Sequence, residues 1–148
     1  MPKILVTRRT FSVAADALRA SGADVVIWED SDSPSQEDLI KAVADVHGLY
    51  AHITNQVNAE VMDAAPNLKV IAEFGVGYDN IDVDAASERN IAVANTPGVL
   101  TEAAADFGFT MIQTAGRRIA ESDRFVRRGE WKWFEPLDLL GVDIHGST

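Results

Sequence analysis

The chain has 148 residues, 47% of them hydrophobic, with 13 Lys and Arg against 23 Asp and Glu and a formal net charge of −10. That length suits one domain of ordinary size, or one domain and part of a second, and the apolar content argues against intrinsic disorder. The charge argues against a general nucleic-acid binder, because phosphate backbones demand clustered cations. Arg8 and Arg9 form one basic spot, and acids interleave the later group of Arg117, Arg118, Arg124, Arg127 and Arg128. Lack of Cys removes disulfides, thiolate metal ligands and thiol catalysis together. Met1-Pro2-Lys3 leads into a short apolar run that charges soon interrupt, so no signal peptide is visible, and no window reaches the roughly 18 apolar residues of a membrane span. The expectation is a soluble, cytoplasmic protein that engages neither membrane nor nucleic acid.

Taken in chain order, residues 3–7 (KILVT) have the length and β-branching of a buried strand. Residues 13–20 place Val13, Ala17, Leu18 and Ala20 on one helical face, and Ser21-Gly22 stops that helix. A second strand follows at 23–28 and a polar loop at 29–35. Ser35 with Asp38 resembles a helix-capping pair, ahead of a stripe of Leu39, Ile40, Val43 and Val46. Residues 48–53 read as a third strand, 59–65 as a short helix ended by Pro66-Asn67, and 68–74 as a fourth strand. A short helix at 84–89 and a fifth strand at 91–94 complete the pattern. Apolar strands alternating with helices predict an α/β fold, an open, doubly wound parallel five-stranded sheet covered on both faces. Beyond Thr96-Pro97-Gly98 the text turns helical from Thr101 to about Arg128, with Thr101 as a candidate cap and a kink or break expected around Gly116.

Ligands of open parallel sheets sit beyond the carboxyl ends of the strands. Thr54-Asn55, the stretch Gly75-Val76-Gly77-Tyr78-Asp79-Asn80 and Asn95-Thr96-Pro97-Gly98 fall there. Two glycines one residue apart let the backbone turn and present consecutive N–H groups, a nest suited to a carboxylate or phosphate; the plainer reading is a tight turn. His52, near the end of the third strand, can face the same cleft, whereas His47 stands at the opposite end and His145 in the terminal loop. These scattered imidazoles form no metal signature.

The string Ala65-Pro66-Asn67-Leu68-Lys69-Val70-Ile71, then Val76 through Asp82, Asn95 through Glu102, and Asp123 through Trp131 resembles the D-isomer-specific 2-hydroxyacid dehydrogenases. The family includes glyoxylate/hydroxypyruvate reductases and phosphoglycerate dehydrogenases, and Val76-Gly77-Tyr78-Asp79-Asn80 is most similar to the former. The resemblance implies a flavodoxin-like substrate-binding domain over residues 1–98. A hinge and a long helix, over residues 99–148, would lead into a Rossmann domain. It implies transfer of a hydride between NAD or NADP and a small 2-oxo or 2-hydroxy acid such as glyoxylate or hydroxypyruvate. It places the substrate carboxylate on the backbone N–H groups of Val76 and Gly77, brings Thr101 towards the cofactor, and leaves Asp79 or Asn80 to fix the loop. Thr54 and His52 complete the candidate substrate-binding set.

The family's G-x-G-x-x-G fingerprint and its catalytic Arg, Glu and His correspond to text beyond Thr148. Gly75-Val76-Gly77 lacks the third Gly and opens no long helix, so it cannot replace the fingerprint. The expectation is that these 148 residues alone hold no cofactor and do not turn over. Phe107, Phe109, Met111, Ile112, Trp131, Trp133 and Phe134 lie in a segment that relatives use for dimerisation, so a homodimer through residues 101–134 is expected. The alternative is a non-catalytic dimerising or carboxylate-binding flavodoxin-like module. A phosphoryl receiver would need acids after the first strand, where Arg8 and Arg9 stand, and an FMN carrier a Gly-containing loop there.

Overall fold

In the computed structural model, residues 1–147 are described. The chain forms two compact units, the first Met1–Gly98 and the second starting at Val99. The first carries five short strands, β1 Lys3–Val6, β2 Asp24–Ile27, β3 Gly48–Ala51, β4 Val70–Glu73 and β5 Ala92–Ala94. All pair in parallel, in the order β2-β1-β3-β4-β5. β1, β3 and β4 occupy the middle, which is why their text is nearly all apolar. Helix α1 (Ser12–Ala20) follows β1, and α2 (Gln36–Ala42), α3 (Ala59–Asp63) and α4 (Val83–Glu88) follow β2, β3 and β4. The helix direction changes between β1 and β3, so the crevice for a ligand opens beyond the carboxyl ends of those central strands.

Side-chain oxygens start three of these helices. Ser35 Oγ accepts the Asp38 N–H at 3.2 Å, Asn58 Oδ1 the Val61 N–H at 3.1 Å, and Asp82 Oδ1 the Ala85 N–H at 2.9 Å. At α2 the return bond runs from the Ser35 hydroxyl to Asp38 Oδ2 at 2.6 Å, because Asp is one methylene shorter than the Glu that would reach the backbone. Gly22, in the left-handed region with φ +82°, ends α1.

The core lies on one side of the sheet. Leu39, Val43 and Val46 from α2 and its end, Val61 and Met62 from α3, and Ala85 and Ala86 from α4 pack on Leu5, Leu49 and Ile71. The other side is covered too, but less fully. Of the described helices of this unit only α1 lies there, and its inner face is Ala14, Ala15 and Leu18; Val13 is 75% exposed, and Ala17 and Ala20 are exposed too. The expected stripe failed because α1 shields only part of that face. Beside it an apolar groove of about 350 Å³ runs past Ile4, Gly48, Tyr50, Val70 and Ala72.

In the second unit, α5 (Thr101–Gly116) and α6 (Ile119–Arg127) part at Arg118, whose backbone is left-handed at φ 52°. The break falls where Gly116 suggested one. Thr101 is the first helical residue; Leu100 occupies the cap position and no side chain caps it, correcting the expected role of Thr101. The 142–144 segment returns to this break, with the Val142 N–H donating to the Gly116 carbonyl at 2.8 Å. Gly141 is required by the approach, since a Cβ there would press on the Gly116 carbonyl and stand 2.9 Å from Arg117 Cα. No residue of α5 or α6 is buried. Among the described residues no helix is long and apolar enough to cross a membrane.

Candidate functional site

Parallel pairing brings the residues after β1, β3 and β4 to one rim of the first unit. Their floor is a polar network under the rim. Thr7, fully buried after β1, donates from Oγ1 to Asn55 Oδ1 at 2.6 Å, and the His52 N–H reaches both Thr7 Oγ1 and Asn55 Oδ1 at 3.1 Å. Asn80 crosses from the next loop, its Nδ2 donating to the Asn55 carbonyl and to Glu73 Oε2, each at 3.0 Å. Main-chain bonds reinforce this link, from the Val57 N–H to the Asn80 carbonyl at 2.8 Å and from the Asp82 N–H to the Val57 carbonyl at 3.0 Å. Asn80 therefore fixes the loop.

The 75–77 turn is anchored from its other side. Asn95 Nδ2 donates to the Val76 carbonyl at 2.8 Å, and the Thr96 N–H to the Gly75 carbonyl at 2.9 Å. With the carbonyls drawn towards the end of β5, the N–H groups of Val76 and Gly77 donate to no protein acceptor among the described residues. Both residues line a cleft of about 290 Å³ with Ile53, Gln56, Gly75, Asp79 and Asn80. Unsatisfied amides in a concavity are an anion-accepting arrangement, fixed before a ligand arrives. Neither Gly75 nor Gly77 has a positive φ, and an added Cβ would meet Glu73 Oε1 at 3.5 Å or Asp79 Oδ2 at 3.6 Å. Space near the turn, rather than left-handed backbone, is what these glycines leave open.

The other candidates are not gathered into this cleft. His52 lines a neighbouring hollow of about 330 Å³ with Arg8, Arg9, Thr10, Phe11, Tyr50 and Phe74. Its ring stacks on Phe74 with centroids 6.1 Å apart, and Nδ1 stands 3.2 Å from Thr54 Oγ1. Thr54 is exposed and lines neither hollow; its hydroxyl pairs with Ser33 Oγ at 2.6 Å, which accepts from Arg8 Nη1 at 3.2 Å. Thr101 belongs to the second unit. His47, expected at the surface, is half-buried, with Nδ1 accepting the Lys3 N–H at 3.2 Å.

One residue that composition and spacing did not single out is Glu73. It closes the apolar run of β4, is 2% exposed, and leaves Oε1 without a hydrogen-bond partner. Burial pushes its carboxyl above the usual carboxylate range, against the opposing influence of the Asn80 hydrogen bond and of His52. An acid as the last residue of an otherwise buried strand was the available signal.

These residues do not fit a dinucleotide. The glycine pair leads into Tyr78-Asp79-Asn80, and the next helix is six residues long with its first turn already capped by Asp82. No cluster of three or more His, Cys, Asp or Glu suited to a metal occurs among the described residues.

A five-stranded parallel layer of this order, with a glycine-bordered turn after its fourth strand, defines the class of flavodoxin-like α/β domains. Residues 4–134 match the family described as D-isomer specific 2-hydroxyacid dehydrogenase, catalytic domain, and the chain belongs to that family. It is 42% identical to a glyoxylate reductase of Korarchaeum cryptofilum, over 99% of this chain and 44% of the relative. Among solved structures it is similar to the TT0316 protein of Thermus thermophilus, with a TM-score of 0.90 and 42% identity over 96% of this chain and 45% of the other. It is also similar to the NADPH-dependent glyoxylate/hydroxypyruvate reductase of Sinorhizobium meliloti solved with NADP and malonate, with a TM-score of 0.71 and 32% identity over 95% and 44% of the two chains. The chain thus spans less than half the length of the curated relatives it matches.

Proposed function

We propose that residues 1–98 are the substrate-binding part of an NAD(P)-dependent D-2-hydroxyacid dehydrogenase that reduces a small 2-oxo acid such as glyoxylate or hydroxypyruvate. The segment from residue 99 is the lead-in to its nucleotide-binding domain. The observation that carries this reading is the pair of unpaired Val76 and Gly77 amides in the cleft. They hold the substrate carboxylate in a two-point grip, which orients the adjacent carbonyl carbon. Ile53 and Gln56 border the acid, while His52 lines the neighbouring hollow with Thr54 Oγ1 beside its ring. NAD(P)H, when bound to the complete enzyme, supplies the hydride, and Thr101 lies on the segment that approaches it. None of the 148 residues is assigned as the general acid, so this chain by itself binds without turning over. The names of the relatives support the substrate class. Titrating the ¹⁵N-labelled chain with glyoxylate or oxamate is expected to shift the Val76 and Gly77 amide resonances first. Shifts elsewhere with none at these two positions would defeat the reading.

The second unit supports a homodimer through residues 101–134. Phe107 and Ile112 of α5 and Trp133 and Phe134 beyond α6 are 62–82% exposed. Apolar burial is worth about 25 cal/mol per Å², and a second copy presenting the same surface would cover these side chains. Light scattering is expected to report twice the chain mass of 16.0 kDa; a monomer at high concentration refutes it.

A further inference from the structure

The carboxylate reading leaves the buried acid under the cleft without a task. Glu73 Oε2 accepts one hydrogen of the Asn80 side-chain amide at 3.0 Å, and the Asn55 carbonyl accepts from the same nitrogen at 3.0 Å. The two bonds have different owners. One belongs to the loop after β3, the other to the last residue of β4, separated from the 75–77 turn by Phe74 alone. The Asn80 amide thus ties the two walls of the cleft, and Glu73 is the acceptor that sets its direction. Glu or Gln can supply that acceptor; an aliphatic side chain of similar size cannot.

We propose that Glu73 is a positioning residue for the carboxylate site: by aligning Asn80, its Oε2 holds the 75–80 loop against the 52–55 loop so that the Val76 and Gly77 amides face the cleft. This rests on the reading of those amides as the carboxylate holder. Glu73 touches no substrate; it acts through Asn80. Its second oxygen, Oε1, has no donor and sits where a Cβ on Gly75 would be 3.5 Å away. A buried carboxyl so placed is better uncharged, and burial raises its proton affinity in that direction. An uncharged acid also spares a bound anion the repulsion of a negative charge beneath it. The other charged or titratable groups at this rim are Arg8 and Arg9 after β1, His52 after β3 and Asp79 from the loop.

The ¹⁵N-labelled 148-residue chain is compared as wild type, E73Q, E73L and N80A. Each is titrated with oxamate from about pH 5 to about pH 8, and amide exchange of Val57, Ile81 and Asp82, hydrogen-bonded at this loop, is measured without ligand. E73Q keeps the acceptor and is expected to bind within about twofold of wild type at the acid end. It should hold that affinity as pH rises, whereas wild type weakens once its Glu73 ionises; every other group is common to both, so the difference isolates Glu73. E73L and N80A are expected to bind about tenfold more weakly, the worth of one hydrogen bond, and to exchange about tenfold faster at Val57, Ile81 and Asp82, whose N–H groups bond to or beside this loop. Should E73L fail to fold, N80A carries the same comparison. E73L matching E73Q in affinity and exchange, or N80A matching wild type, overturns the proposal. If oxamate shifts no amide of wild type, the carboxylate reading has failed, and ligand-free exchange still decides whether Glu73 positions the loop.

Discussion

Ile71→Ala is expected to destabilise the first unit by about 2–5 kcal/mol, while Val70→Ala, one residue earlier on the same strand, costs less than about 1 kcal/mol. Ile71 is fully buried and packs on the side covered by α2, α3 and α4; Val70 points to the other side and is 40% exposed. Removing the Ile71 side chain beyond Cβ leaves a cavity that its neighbours close only in part, so transfer and cavity costs add. At Val70 the lost methyls already face the open groove. Against a total stability of about 5–15 kcal/mol, the first substitution is severe. Urea unfolding of the two variants checks this, and equal costs would mean that the sheet is packed alike on both faces.

The stability of the wild-type chain is expected to carry a downward component as pH rises above 4.5, the ordinary glutamate value, and this component is absent from E73Q. Native Glu73 holds its proton to higher pH because burial disfavours the anion. Unfolding exposes the carboxyl, which then ionises near 4.5. Between the two values the native state binds more protons than the unfolded state, so the unfolding free energy falls as pH increases. The slope reaches at most about 1.4 kcal/mol per pH unit for one proton, and ends once the native carboxyl itself ionises. Below 4.5 both states are protonated and the contribution is fully present. Asp45 beside Lys3 and Asp63 beside Arg89 are lowered instead and titrate in acid, with the opposite sign, in both proteins. Denaturant midpoints across this range for wild type and E73Q isolate Glu73, and a constant difference between them refutes the expectation.

The five strands were legible because continuous apolar runs such as 3–7 and 48–53 have no helical period, and the turn after β4 because its glycines stand where a parallel sheet opens. The face of α1 was misread for a tertiary reason. Its periodicity reports apolar residues, yet the amount of sheet opposite the helix decides which of them are buried, and Val13 has none. Thr101 looked like a cap from its residue type, but helical geometry begins on it. Glu73 was overlooked because hydrophobic patterning cannot distinguish an acid that ends a strand in solvent from one folded beneath a loop. The ties from Asn80 and Asn95 join residues 7 and 19 positions apart, separations that local spacing does not encode.

The bond from Asn95 to the Val76 carbonyl has an evolutionary corollary. The turn is pinned by partners of two kinds, a buried one through Glu73 and Asn80 and a peripheral one at the far margin of the layer. Exchanging the peripheral pin would re-aim the peptide plane between Val76 and Gly77 while leaving the hydrophobic slab intact. Preference among acids of different size could therefore drift at position 95 at little cost to folding.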